Sequence, residues 1–281
     1  MAEETEKKDQ ELLEKTKPVF NTAKMTLFQM AQNGNPNAVA IVKKMGLAED
    51  TQKSKSFSMS PEEEITFRIV LETRYLTMGK LARESGFPVL VDLPCGYTPR
   101  AIETAEQGTE YIGMDLPAVI SEMSDIVPSL LDGKKRELVR FCAVDATNYA
   151  SLEKALRDVK GNLCINTEGL LMYFSAAEIH SFLDNIRKIL DSHGGCWITS
   201  DPEIEPEHLR FREAIRTDAS EKEALHLLQE KADVSVLENP MMVRFGHEEE
   251  DIRRVHGVLK DHGLKAERIR IAGGIAETKA F

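Results

Sequence analysis

No CxxC pair occurs in this chain, and its four cysteines, Cys95, Cys142, Cys164 and Cys196, lie far apart. That spacing excludes a disulfide framework and a cysteine-built zinc site as organising features. Three of the four sit in or beside apolar strand-like runs, where a free thiol behaves as a small hydrophobe. The seven histidines form no HxH or HExxH pattern, so no metal is expected. No apolar run is long enough to cross a bilayer, and Met1–Gln10 is charged instead of signal-like, which leads to the expectation of a cytoplasmic protein. Basic charge is scarce too: 36 Lys and Arg stand against 47 Asp and Glu, a formal net charge of −11. A phosphate backbone selects a basic face, and no Lys/Arg stripe with interleaved aromatics is present, so nucleic acid is excluded as a partner. The run Gly133-Lys134-Lys135-Arg136 is short, is flanked by acidic residues, and reads as a solvated loop. Internal repeats and low-complexity tracts are also missing.

What the chain does have is 42% apolar residues over 281 positions, enough to bury a large core. From Pro18 to Leu47 the pattern is helical, broken at the turn signal Asn33-Gly34-Asn35-Pro36. Thr51–Ser60 reads as a polar linker. Ser60-Pro61-Glu62-Glu63 is a helix start with Ser as N-cap, and that helix runs to about Glu84 before Gly86 ends it. Beyond Gly86 short apolar runs alternate with helical ones. Strands are expected over Pro88–Leu93, Glu110–Asp115, Leu138–Val144, Asn162–Asn166 and Cys196–Ser200. Helices are expected between them, over Pro99–Gln107, Pro117–Val127, Ser151–Val159 and Ala176–Leu190. This alternation specifies an α/β fold, a doubly wound and mainly parallel Rossmann-like sheet. Glu205–Asp233 reads as a helical insert, His247–His262 as a helix whose His247 and His256 face solvent, and Leu264–Ile271 as a last strand. The division expected is a helical cap over 1–87 and a cofactor-binding domain over 88–281, with the insert at about 205–235 as a helical lid.

In an open parallel sheet, ligands bind outside the carboxyl ends of the strands. The first strand ends in Asp92-Leu93-Pro94-Cys95-Gly96-Tyr97. Asp115 closes the second strand about 20 residues past Gly96, where an acid can accept hydrogen bonds from a ribose diol; dinucleotide folds use the same separation. The loop separates the two cofactor types. A pyrophosphate cradle wants GxGxxG, whereas Pro94-Cys95-Gly96-Tyr97-Thr98-Pro99 has one glycine and two prolines that offer no N–H. S-adenosylmethionine (SAM) has no phosphate. It asks for a cation for its carboxylate, acceptors for its ammonium, an acid for its ribose and a polar partner for its adenine, and Asp145 just past the third strand suits the last role.

Val91–Ala101 together with Tyr111-Ile112-Gly113-Met114-Asp115-Leu116-Pro117 resembles the class I SAM-dependent methyltransferases. More narrowly it is similar to the leucine carboxyl methyltransferase and polyketide O-methyltransferase family. Thr167-Glu168-Gly169-Leu170-Leu171-Met172-Tyr173-Phe174 is close to that family's EGLLMYL segment, and Asp115-Leu116-Pro117 matches its DLP. The resemblance implies that Arg74 holds the SAM carboxylate, a task suited to the two parallel hydrogen bonds of a guanidinium. It implies that Asp92 and Gly96 line the methionine end, that Asp115 holds the ribose and that Asp145 with Ala146 holds the adenine; Pro94 and Leu116 are expected among the cofactor-binding residues. Glu168 faces the methionine moiety or the reacting centre, and Tyr173 borders the substrate pocket. Where the family has GAGxDTR, this chain has Pro94-Cys95-Gly96-Tyr97-Thr98-Pro99-Arg100, so Pro94 replaces a glycine and Thr98 an aspartate, while Arg100 is retained. Arg100 itself reads as a packing or structural residue.

The activity expected is methyl transfer from SAM, leaving S-adenosylhomocysteine, to a small-molecule hydroxyl or carboxylate, with Glu168 and Tyr173 at the catalytic centre. A homodimer is left open as the assembly, and neither nucleic acid nor membrane is a partner. The alternative is a non-catalytic protein that binds SAM or a small molecule on the same fold, motivated by Pro94 and Thr98. A nicotinamide-dependent oxidoreductase is a third reading, disfavoured by the loop.

Overall fold

The structure, a computed structural model, describes residues 23–47, 61–201, 260–264, 266–270 and 276–280. The expected linker Thr51–Ser60, the Ser60 cap, the insert Glu205–Asp233, and His247 and His256 lie outside the described residues. Seven strands form one sheet in the order β3-β2-β1-β4-β5-β7-β6: β1 (Val89–Asp92), β2 (Glu110–Asp115), β3 (Val139–Ala143), β4 (Leu163–Thr167), β5 (Gly195–Thr199), β6 (Ala266–Arg270) and β7 (Ala276–Ala280). β1 runs parallel to β4, β4 to β5, and β2 to β3. The order 3-2-1-4-5 is that of a Rossmann-like sheet. β7 pairs antiparallel with both β5 and β6, a departure from the wholly parallel dinucleotide sheet. The chain clusters into two compact units, Met1–Ser56 with Cys95–Ala143, and Phe57–Pro94 with Val144–Phe281.

In the first unit, helix α1 (residues 23–32) turns through Asn33 and Gly34 into α2 (Pro36–Met45). The turn signal works through Asn35. Its side chain accepts the N–H groups of Asn37 and Ala38, each at 3.0 Å, and Pro36 opens the helix without needing a partner for an N–H. Helix α4 (Arg100–Glu106) packs on β2, and α5 (Pro117–Leu130) on β2 and β3. Helix α5 buries Val119, Ile120, Met123 and Val127, a stripe at helical spacing, and continues past Val127 through Pro128. The basic run expected as a loop is a short helix, α6 (Gly133–Glu137), with no buried residue, and Arg136 donates to the Leu131 carbonyl at 2.9 Å.

In the second unit, helix α3 (Pro61–Glu84) packs on β4 and β5. Leu71, Tyr75, Met78 and Ala82 are buried, again at helical spacing. Helix α7 (Tyr149–Leu156) begins two residues earlier than expected because Asn148 caps it, accepting the Ala150 N–H at 3.0 Å. Helix α8 (Ala176–His193) starts with a capping box. Ser175 Oγ accepts the Glu178 N–H at 3.3 Å, and Glu178 Oε2 accepts the Ser175 N–H at 2.7 Å. Replacing Ser175 with Ala strands one helix-end donor, and the expected loss is about 1 kcal/mol of unfolding free energy, read from urea melts.

The two faces of β4 and β5 are assigned by their contacts. Residues opposite each other in the ladder share a face, so Asp92, Asn166 and Ile198 lie on one side, and Val91, Ile165 and Trp197 on the other. Phe182 of α8 meets the Trp197 ring edge-on at 5.9 Å, so α8 covers the Trp197 side. Cys164 and Cys196 face each other with Sγ atoms 3.9 Å apart, buried and reduced, in keeping with their reading as small hydrophobes.

Candidate cofactor and active site

Two groups of site residues form, one in each compact unit. In the first, the loop after β1 is tied to the end of β2. The Cys95 N–H donates to the Met114 carbonyl at 2.9 Å. The Gly96 N–H donates to Asp115 Oδ2 at 2.8 Å, and the Leu116 N–H to Asp115 Oδ1 at 2.7 Å. Asp115 therefore fastens the loop to the start of α5 as well as ending its strand. Gly96 has φ +51, and a Cβ there would stand 3.9 Å from the Ala23 Cβ, an ordinary contact. Left-handed backbone, not crowding, is what calls for glycine at this position. Thr98, standing where the family has Asp, donates its hydroxyl to the Cys95 carbonyl at 3.2 Å and so closes the turn by another route.

Within the loop Tyr97 is buried, 1% exposed. Burial drives its phenol well above the usual range, and the charge of Glu122 and a hydrogen bond to it, then the charge of Asp115, push the same way. Lys24 of α1 sits 5.0 Å from the ring centroid and reaches Glu122 at 3.0 Å. Arg100 is 3% exposed, which agrees with its reading as a packing residue.

In the second unit, Arg74 of α3 meets Glu168, just past β4. Arg74 Nε donates to Glu168 Oε1 at 2.7 Å, and the two side chains are 15% and 13% exposed. The two residues lie 94 positions apart in the sequence. Two residues singled out separately are thus one ion pair. Asp92 is 2% exposed and its Oδ1 accepts from Asn166 Nδ2 at 2.6 Å. Asn166 Oδ1 is buried without a partner among the described residues. A buried acceptor in that state fits an ammonium or hydroxyl donor.

Asp145 follows β3 and is exposed. Its Oδ1 accepts the Thr147 N–H at 2.9 Å and the Thr147 hydroxyl at 2.7 Å, an Asx-type turn that leads into α7. The helix cap itself is Asn148, not Asp145. Ala146 is buried, and its carbonyl accepts from Asn185 Nδ2 at 3.2 Å. Tyr173 closes a 3-10 turn (Leu171–Tyr173) and is 44% exposed, so it is no core residue. Pro94 follows a cis peptide bond from Leu93.

Sequence reasoning missed Asp201. It is 4% exposed, and it accepts the N–H groups of Gly169, Leu170 and Leu171 at 2.5, 2.8 and 2.9 Å. Burial raises its carboxyl above the usual range, while those three N–H groups and the charge of Arg74 pull it back. The available signal was a carboxylate just past a buried strand, the same rule that marked Asp92, Asp115 and Asp145.

Among the described residues no cluster of His, Cys, Asp and Glu could hold a metal ion, and no helix is long and apolar enough to cross a membrane. No protein-family model matches the chain, and no curated protein does. Solved structures do. Magnesium protoporphyrin IX methyltransferase from Synechocystis PCC 6803 with bound SAH matches with a TM-score of 0.44 at 11% identity, over 80% of this chain and 88% of that one. The methyltransferase domain of bacterial CtHen1-CN matches with a TM-score of 0.43 at 12% identity, over 74% of this chain and 96% of that one. Human N-acetylserotonin methyltransferase in complex with SAM gives a TM-score of 0.40 at 13% identity, over 85% of this chain and 61% of that one. These are distant likenesses, and what those proteins bind or methylate is theirs.

Proposed function

We propose that this chain is a SAM-dependent methyltransferase acting on a small-molecule hydroxyl or carboxylate. The observation that carries the reading is the loop after β1. Pro94 and Pro99 have no N–H, and the N–H groups of Cys95 and Gly96 are bound to Met114 and Asp115. A pyrophosphate needs such donors turned toward it, so the loop suits a cofactor without phosphate. The remaining donor set supports the same reading. Arg74 offers a cation for a carboxylate, Glu168 and Asp92 offer acceptors for an ammonium, and the Asp115 carboxylate, which holds the Gly96 and Leu116 N–H groups, is the acid for a ribose diol. Asp145 and Ala146 would take the adenine and Gly96 the methionine end, with Pro94 and Leu116 as further cofactor contacts.

When bound, SAM would supply a sulfonium-borne methyl group to an acceptor oxygen, with the C–S bond breaking and S-adenosylhomocysteine as the leaving group. The chain's own residues orient and enclose. Alignment of the reacting atoms and exclusion of water provide most of the rate in such a reaction. A carboxylate acceptor is already ionised and needs no base. A hydroxyl acceptor gains from one, and Glu168 is the residue for it. Tyr173 offers an exposed ring to the acceptor.

Titration calorimetry on the full chain tests the reading. SAM and S-adenosylhomocysteine bind with Kd in about the micromolar range, within the span common for enzyme ligands, and NADH does not bind. Binding of NADH in place of SAM would overturn it. Methyl transfer to a panel of hydroxyl and carboxylate acceptors then separates an enzyme from a SAM-binding protein that does no chemistry, the alternative that Pro94 and Thr98 raise.

A further inference from the structure

The segment that carries Glu168 is pinned at two points. On one side Thr167 is held in the ladder opposite Thr199. On the other side three successive N–H groups, of Gly169, Leu170 and Leu171, converge on the Asp201 carboxylate. Such a run of N–H groups is a backbone nest, and a carboxylate is the anion it suits. Asp201 is itself fixed, because its N–H donates to Thr199 Oγ1 at 3.1 Å. Between the two pins stands Glu168, followed by Gly169 at φ +72. Glycine is the most permissive residue in the chain's repertoire, so without the second pin Gly169 is a swivel directly after Glu168.

We propose that Asp201 is the positioning residue of this site: by clamping Gly169, Leu170 and Leu171 it fixes the direction in which Glu168 meets Arg74, and so prepares the pair for the amino-acid end of the cofactor. The clamp rests on the cofactor reading above. It touches neither cofactor nor acceptor and acts through Glu168. Its sign of charge matters as well. Arg74 answers two carboxylates, Glu168 by direct contact and Asp201 through its charge, and so is oriented before a third carboxylate arrives.

An amide cannot replace this carboxylate. Gly169 bonds to Oδ1 and the two leucines to Oδ2, and the Asn side chain has one acceptor oxygen, with N–H donors on the other side facing an N–H. Asp201→Asn therefore opens one half of the clamp. It also removes a buried charge that is costly to desolvate.

The test is calorimetry on the full chain, wild type and Asp201→Asn, with SAM, S-adenosylhomocysteine and 5′-methylthioadenosine. The last keeps adenine and ribose and lacks the amino-acid end. The expected result is a Kd for SAM and S-adenosylhomocysteine raised about tenfold, the scale of a displaced supporting partner, with methylthioadenosine unchanged. Unchanged SAM binding overturns the clamp, and so does an equal weakening of all three ligands, which marks a general structural role. A wild-type chain that binds none of the three overturns the cofactor reading and the clamp with it. If Asp201→Asn does not fold, Gly169→Ala takes its place. That change strains the same turn at φ +72 with Asp201 intact, and the same selective loss is expected; SAM binding at the wild-type level in that variant overturns the clamp.

Discussion

Asp115→Ala weakens SAM and methylthioadenosine alike, by about a hundredfold, and lowers stability at the same time. The effect is large because one carboxylate has two duties. It holds the Gly96 and Leu116 N–H groups at 2.8 and 2.7 Å, and each hydrogen bond to a charged acceptor contributes about 1.5–3 kcal/mol. In the proposed reading the same carboxylate also meets the ribose. Alanine leaves two donors without their acceptor and lets the loop drift from β2. A hundredfold change in Kd corresponds to about 2.7 kcal/mol, less than the two bonds together, because water replaces part of what is lost at a half-buried position. Asp115→Asn keeps the shape and one acceptor and falls between, at about tenfold. Methylthioadenosine is the discriminating ligand, since it carries the ribose. Wild-type affinity of Asp115→Ala for SAM removes the ribose assignment.

The strands that carry these residues were legible as short apolar runs, and β2 has the bounds that the sequence implied. The signal is strong there because a parallel strand covered on both faces must be apolar throughout. β7 was not legible. Its sequence, Ala276 to Ala280 with Glu277, Thr278 and Lys279 between, has little strand propensity, and its place comes from pairing with β5 and β6. Site residues divide the same way. The positions of Asp92 and Asp115 at strand ends could be read because the strand runs and the loop motif fix their register. Glu168 stood out because a carboxylate in an apolar run demands a partner. That its partner is Arg74 could not be read, since nothing local links residues 94 apart. Asp145 was assigned one role, and its backbone turn shows a second that local sequence also encodes, through Thr147 two residues on.

Arg74→Ala is expected to separate binding from folding most sharply. SAM and S-adenosylhomocysteine lose about a hundredfold in affinity, on the scale of a charge-assisted pair left unmade, and methylthioadenosine binds as before. The stability effect has its own origin. Removing the guanidinium leaves the Glu168 carboxylate, 13% exposed, without its 2.7 Å partner, and leaves Asp201 without the positive charge that draws its carboxyl down. Breaking a fully buried pair from one side costs about 3–5 kcal/mol. With residual exposure on both partners the expected loss is about 2 kcal/mol, read from urea unfolding. Adding Glu168→Gln to Arg74→Ala recovers part of that stability, because a neutral amide replaces a largely buried carboxylate that has lost its guanidinium, but none of the SAM affinity. Arg74→Lys keeps the charge without the planar fork and loses about tenfold, since an ammonium cannot bond a carboxylate through two parallel N–H groups. If Arg74→Ala binds SAM as tightly as the wild type, Arg74 is a structural partner of Glu168 alone and the cofactor's carboxylate is held elsewhere.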